Sequence, residues 1–174
     1  MQNAVPKLWI FFFVIVLVLV MAILTSSSQT PVSESLESST PETTRYTTYE
    51  NMLERGDNAI YVENQNSHST FVLVGFAVLS KPGFIVIYDD NSGVPGSIVG
   101  ESMLLPTGGE HLIVPVETPL LQDQVYYAML YHDSGDGRFR IDDDTQVVDS
   151  EQSVVLMTFL AINQAAPETG PVVP

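Results

Sequence analysis

The segment Gln124-Val-Tyr-Tyr-Ala-Met-Leu-Tyr131 decides the fold of this chain. Its apolar residues follow one another without the polar alternation of a half-exposed strand, and the surrounding sequence shows no helical periodicity. A run of this kind is typical of a central strand that is covered on both faces. The segment therefore predicts a β-sheet with other parts of the domain packed against both of its sides.

Short strands separated by turn residues extend from this segment in both directions. Five are predicted before it and one after it, at 59–62, 70–79, 84–88, 97–105, 110–116 and 153–162. Gly75 interrupts the long β-branched strand and predicts a bulge or bend there. About seven strands without intervening helices predict an all-β fold, an immunoglobulin-like antiparallel β-sandwich over residues 58–163, with a small barrel as the alternative.

The N-terminal part of the chain predicts a location. Seventeen apolar residues, Leu8 to Leu24, follow Lys7, the only charged side chain before them. As a helix this run would measure about 25 Å, slightly less than the ~30 Å hydrocarbon core of a bilayer, yet it is longer than the usual apolar core of a signal peptide.

The position of Lys7 gives this segment an orientation. A basic residue on the N-terminal side predicts that residues 1–7 stay in the cytoplasm and that residues 8–24 form a single transmembrane helix. The rest of the chain would then be extracytoplasmic and held at the cell membrane. If the segment is instead cleaved as a signal peptide near Ser26, the protein is secreted.

Residues 25–57 have a different composition from the rest of the chain. Ser and Thr fill 14 of the 24 positions from Thr25 to Thr48. Such a segment buries too little apolar area to offset the entropy of ordering it. The composition predicts a disordered stalk over residues 25–57, with a turn or two of helix at most near residues 46–55, and residues 164–174 are predicted to be a disordered tail.

Charge and cysteine content exclude several classes of function. All 21 acidic residues and five of the six basic ones lie beyond the apolar run, and the chain contains no cysteine. Thiolate nucleophiles, disulfides and Cys-ligated metals are therefore excluded. A surface this negative repels nucleic acid. The predicted partners are the membrane, through residues 8–24, and a protein or a glycan at the cell surface.

Several blocks of sequence, in the same order, resemble a known domain. They lie at 83–111 and 127–137, and include Gly83-Phe-Ile-Val-Ile-Tyr-Asp-Asp90, Gly93-Val-Pro-Gly96, Pro106-Thr-Gly-Gly-Glu-His111 and Tyr127-Ala-Met-Leu-Tyr-His-Asp133. Together they resemble a domain of unknown function that recurs in exported and surface proteins of haloarchaea and of some bacteria. The resemblance covers most of residues 58–163 and implies an exported domain without an established chemistry.

The acidic loop after the central segment suggests a calcium site. Asp133-Ser-Gly-Asp-Gly137 approaches the spacing of a calcium loop but is one residue short, so the first ligand position would fall on His132. A weak calcium site would combine Asp133 and Asp136 with three aspartates further on, Asp142, Asp143 and Asp144. The sequence favours the alternative, a hairpin whose Asp and Gly residues form the turn, and predicts no other cofactor.

The sequence carries no catalytic motif. A nucleophile elbow, an H-E-x-x-H motif and a phosphate-binding glycine loop are all missing, and the histidines at 68, 111 and 132 lie in or beside predicted turns. We therefore predict a non-catalytic, membrane-anchored extracytoplasmic module with a structural, adhesive or recognition role. The alternative is a secreted or anchored calcium- or carbohydrate-binding module.

Aromatic residues bear on the carbohydrate alternative. Tyr126, Tyr127, Tyr131 and Phe139 would line a sugar-binding platform if they were exposed, but aromatic residues in a central strand usually pack in a core or a cross-strand pair. A concave aromatic face would favour a glycan ligand. An exposed apolar patch or an unpaired sheet edge would favour a protein partner.

Overall fold

The computed structural model describes residues 41–165, and the side chains of residues 44–165. The predicted segments 1–7 and 8–24, the stalk up to residue 40, and the tail from residue 166 lie outside this range. One helix and nine strands are present in it: α1 (Pro41–Arg55), β1 (Ala59–Tyr61), β2 (Gln65–Asn66), β3 (Phe71–Val78), β4 (Gly83–Asp90), β5 (Pro95–Glu101), β6 (Gly108–Pro115), β7 (Val125–His132), β8 (Thr145–Gln146) and β9 (Leu156–Ile162).

The strands form two sheets, as a sandwich requires. The small sheet has the order β1-β3-β6, and the large sheet has the order β2-β9-β7-β4-β5, with β8 added beside β7. The pairing is antiparallel except between β2 and β9, where Gln65 and Asn66 run parallel to Ala161 and Ile162. The two sheets confirm the predicted β-sandwich class. Two details are corrected: the β2–β9 pair is parallel, so the pairing is not purely antiparallel, and there are nine strands in residues 41–165 where about seven were predicted.

The central position predicted for β7 is confirmed. The strand pairs with β4 on one side and with β9 on the other, and six of its eight residues are buried. Tyr126, Ala128 and Leu130 belong to the core between the two sheets. Tyr127, Met129 and Tyr131 belong to a second buried cluster on the outer face of the large sheet. The continuous apolar run arises because both faces of this strand are covered.

The irregularity predicted at Gly75 is a bend without an inserted residue. β3 and β6 are paired in the same register on both sides of Gly75. Gly75 and the residue opposite it, His111, are not themselves paired, and His111 has a φ of 51°. The buried residues of β3 change phase at this point, from Val72 and Val74 to Ala77. The outward-facing side of the small sheet therefore has two differently oriented halves.

Helix α1 corrects the predicted stalk over residues 41–55. Tyr46, Tyr49 and Met52 recur at helical spacing and pack against the core. The Arg45 guanidinium donates to the carbonyl oxygens of Val62 at 2.9 Å and Thr158 at 2.6 Å. The many threonines of this segment have a low helix propensity, so docking on the sheets supplies the stability that the local sequence lacks. No helix within residues 41–165 is long and apolar enough to cross a membrane.

Candidate functional site

The five aspartates of the predicted calcium site all lie in the loop between β7 and β8. Asp136, Asp142 and Asp143 are exposed and Asp133 is half-buried. Asp144 is the exception, because only 7% of its surface is exposed. The loop therefore contains one carboxylate in the protein interior and four nearer the solvent.

Asp144 fixes the path of this loop. Its Oδ1 accepts a hydrogen bond from the backbone N–H of Ser134, and its Oδ2 accepts one from the backbone N–H of Arg140, each at 2.8 Å. Burial alone would raise the pKa of Asp144, but these two hydrogen bonds and the Arg140 charge outweigh it, and the pKa lies below its usual value. Asp144 is thus a charged group that joins the two ends of the loop.

Three of the other four aspartates also have partners within the loop. Asp133 accepts a hydrogen bond from the backbone N–H of Gly137 at 3.1 Å. Asp136 and Asp143 form ion pairs with the Arg140 guanidinium at 3.2 and 3.3 Å. Across residues 41–165 the structure gathers no group of three or more His, Asp or Glu side chains that would hold a metal. The calcium site stays a prediction, which calorimetric titration of the full chain with calcium and with a chelator tests.

The aromatic residues do not form a platform. Tyr126 points into the core and stacks on Phe159, with 5.5 Å between the ring centroids. Tyr127 and Tyr131 are buried on the outer face of the large sheet, where Phe139 covers Tyr131 with a T-shaped contact at 5.2 Å. These four side chains therefore pack the domain and offer no concave aromatic face.

Tyrosine hydroxyls are satisfied inside this outer cluster. The hydroxyls of Tyr88 and Tyr131 are hydrogen-bonded to each other at 2.7 Å, and the Tyr127 hydroxyl donates to Asp90 at 2.7 Å. Burial, and then the bond to Tyr131, raises the pKa of Tyr88. These buried polar groups have partners, so they are part of the packing and not an unoccupied polar site.

The histidines are not joined to a nucleophile or an acid. No side-chain hydrogen bond links His68, His111 or His132 to a serine or a carboxylate within the described part of the chain. The Nδ1 atom of His132 is buried without a partner among these residues. Burial, together with the Lys81 charge, lowers the pKa of His132. This geometry favours a neutral, packed imidazole at the end of β7.

A groove of about 640 Å³ lies where four separate parts of the chain meet. Its lining comes from the start of β4, the end of β5 with the segment after it, the end of β6 and the β7–β8 loop: Phe84, Glu101, Ser102, Met103, Leu104, Pro115, Gly137, Arg138, Phe139 and Arg140. Sequence reasoning missed this groove. The signal for it was the pair of arginines around Phe139 within an otherwise acidic loop.

A smaller hollow of about 300 Å³ continues the groove along the junction of the two sheets. Glu101 and Pro115 line both. Here the end of β5 meets the end of β6 through an antiparallel bridge between Gly100 and Val116. A Cβ on Gly100 would collide with the Pro115 carbonyl oxygen, so this close approach requires glycine.

Apolar side chains are exposed next to this junction. Phe71 pairs with Pro115, and Leu73 pairs with Ile113, so the four lie on one outer face of the small sheet. Phe71 is 44% exposed and Ile113 is 64% exposed. We call these four residues the β3–β6 patch. Pro115 belongs to the patch and also lines the groove, so the two form one continuous surface.

Fold and surface define a class of protein: a two-sheet β-sandwich module with an apolar outer patch and an adjoining groove. The chain belongs to the family described as Domain of unknown function (DUF7282), which matches residues 58–160. The predicted resemblance to a domain of unknown function is confirmed to this extent, and the match bears neither on the organisms that carry such domains nor on export. No curated protein and no solved structure shows significant similarity to the chain.

Proposed function

We propose that the protein is a non-catalytic recognition or adhesion module, anchored by residues 8–24 and displayed outside the cell membrane. We further propose that its sandwich is immunoglobulin-like, and that its partner is a protein. The observation that carries the recognition role is the β3–β6 patch: apolar side chains in register on a surface that is otherwise rich in acidic residues.

The patch has the composition of a contact surface. Soluble domains rarely expose neighbouring large apolar side chains, and those that do commonly use them to bind another macromolecule. Phe71 and Ile113 occupy successive outward positions on adjacent strands, so a partner would cover both at once. The buried tyrosines of the large sheet leave the glycan alternative without an aromatic platform.

The sheet edges beside the patch favour side-chain docking over strand addition. β6 is an edge of the small sheet and β5 is an edge of the large one. β5 begins with Pro95 and β6 ends with Pro115, and proline donates no backbone hydrogen bond to an added strand. The partner is therefore expected to contact the apolar face itself.

The location is tested with the full chain carrying a C-terminal tag. We expect a membrane-bound product of full mass whose tag is removed when protease is added to intact cells. A soluble product that begins near Ser26 would replace the anchor with a secretion signal. A tag that stays protected from the external protease would contradict display outside the membrane.

The recognition role is tested by photocrosslinking on intact cells. A photoreactive amino acid at Ile113 is expected to give a discrete adduct with one protein, identified by mass spectrometry. The same amino acid at Gln122, another exposed position, is the matched control. Equal labelling from both positions, or no adduct from Ile113, would contradict a specific contact at the β3–β6 patch.

A further inference from the structure

The groove differs in charge from the rest of the molecule. Two of its lining residues are basic, Arg138 and Arg140, and one is acidic, Glu101. The chain as a whole has 21 acidic residues against six basic ones. The lining of the groove therefore offers guanidinium groups to a bound anion at contact distance, within a loop and on a surface that are otherwise acidic.

The two arginines differ in what they already bind. The Arg140 guanidinium forms ion pairs with Asp136 and Asp143. The Arg138 guanidinium forms no hydrogen bond or ion pair with any residue in the described range, although it lines the groove. Its planar fork of donors matches the two oxygens of a carboxylate. Arg138 is thus the cation that is free to bind a ligand in the groove.

Apolar groups make up much of the remaining lining. Met103 is 85% exposed and Leu104 is 38% exposed. Phe84 and Phe139 also line the groove and pack against each other with 5.8 Å between ring centroids. Exposed methionine adapts its shape to a bound apolar side chain. Because the groove combines such side chains with one unpaired guanidinium, a matching ligand needs an apolar group next to a carboxylate.

We propose that the groove binds a peptide segment of a protein partner in which a carboxylate side chain stands beside an apolar one. The carboxylate pairs with Arg138, and the apolar side chain covers Met103 and Leu104. Glu101 repels the carboxylate from the other residues that line the groove, which fixes its position. This assignment rests on the proposed recognition function and specifies a ligand for the surface next to the β3–β6 patch.

The test uses the purified full chain, in mild detergent throughout, and a fluorescent peptide in which leucine and aspartate alternate. A peptide with asparagine at every aspartate position is the ligand control. Arg138→Glu removes the guanidinium, and Lys81→Glu makes the same change of charge at an exposed cation outside the groove. Affinity is measured by fluorescence anisotropy at low and at high salt.

We expect saturable binding of the aspartate peptide, weakened at least about tenfold by Arg138→Glu and by the asparagine replacement, because one charge-assisted bidentate pair is lost. Lys81→Glu should leave affinity within about twofold, and Glu101→Gln should strengthen it. Met103→Ser should weaken binding without changing the melting temperature, since this side chain is almost fully exposed.

Four results would overturn the proposal. Three are no binding at millimolar peptide, equal binding of the asparagine peptide, and an Arg138→Glu variant that binds as the parent chain does. The fourth is preferential binding of a heparin fragment, because the ligand would then be a sulfated glycan. Failure here leaves crosslinking from Ile113 intact. Failure of surface display leaves peptide binding by the purified chain intact, so the two proposals fail separately.

Discussion

The outer faces of the two sheets differ in how far other parts of the domain cover them. On the large sheet, the outward side chains of β4 and β7 form a buried cluster, and the β7–β8 loop lays Phe139 over it. On the small sheet, α1 covers the half that carries Phe76, with ring contacts between Tyr49, Tyr61 and Phe76. The other half, the β3–β6 patch, has no cover among the described residues.

This difference in cover shows which apolar residues pack the domain and which are available for recognition. Both outer faces carry apolar residues in register, so sequence pattern alone does not distinguish them. What distinguishes them is the presence of a covering element that is itself fixed by hydrogen bonds: Asp144 fixes the loop over the large sheet, and Arg45 fixes α1. Apolar residues under such a cover contribute to stability, whereas those without one remain available to a partner.

The same substitution on the two outer faces should have very different effects. Phe84 is 2% exposed, so Phe84→Ala should lower the free energy of unfolding by about 3–5 kcal/mol through lost burial and a cavity. Phe71→Ala should lower it by about 1 kcal/mol or less, because Phe71 is 44% exposed. Urea denaturation, followed by far-ultraviolet circular dichroism, measures the free energy of unfolding of both variants. Similar losses for the two variants would refute the contrast between the faces.

Removing the anchor of α1 should have the next largest effect. Arg45→Ala leaves the carbonyl of the buried Val62 without the guanidinium donor, and it removes one of two donors to Asn64 Oδ1, which then accepts only from the backbone N–H of Leu160. We expect a loss of about 2–3 kcal/mol, together with faster hydrogen exchange in α1. Glu54→Ala, at an exposed position of the same helix, is the control. Unchanged exchange in α1 would show that aromatic packing alone holds the helix.

Asp144 should have a smaller and pH-dependent effect. Asp144→Ala removes the acceptor of two backbone N–H groups in exposed residues that water can reach, so we expect a loss of about 1–2 kcal/mol at neutral pH. Because the folded-state pKa is lowered, the native contribution is complete above the ordinary Asp pKa. It is lost as the pH falls through the folded-state value. The free energy of unfolding, measured at a series of acidic pH values, should therefore fall less steeply with decreasing pH for the variant than for the parent chain. Equal pH dependence in the two proteins would contradict this role.

The sequence predicted the strand content and the double-sided burial of β7 because those features are local. It predicted only a turn or two of helix near residues 46–55 and missed that α1 begins at Pro41, since Thr44 and Thr47 disfavour a helix and the docking residues act through tertiary contacts. It also missed β2 and β8, because two-residue strands leave no periodicity to detect. The groove could not be found, because its lining is assembled from four segments that only the folded chain brings together.

The smallest expected effect on stability is also the sharpest test of the contrast between the two faces. Ile113 is 64% exposed, so Ile113→Ser should change the free energy of unfolding by no more than about 0.5 kcal/mol. The same variant should lose the crosslinked partner when the photoreactive residue is placed at the neighbouring Leu73, its register partner on β3. A residue that contributes almost nothing to folding but is required for the adduct acts through binding, since a packing role predicts the reverse. If Ile113→Ser instead destabilised the fold by about as much as Phe84→Ala, the β3–β6 patch would be part of the core, and the uncovered face would lose its proposed role.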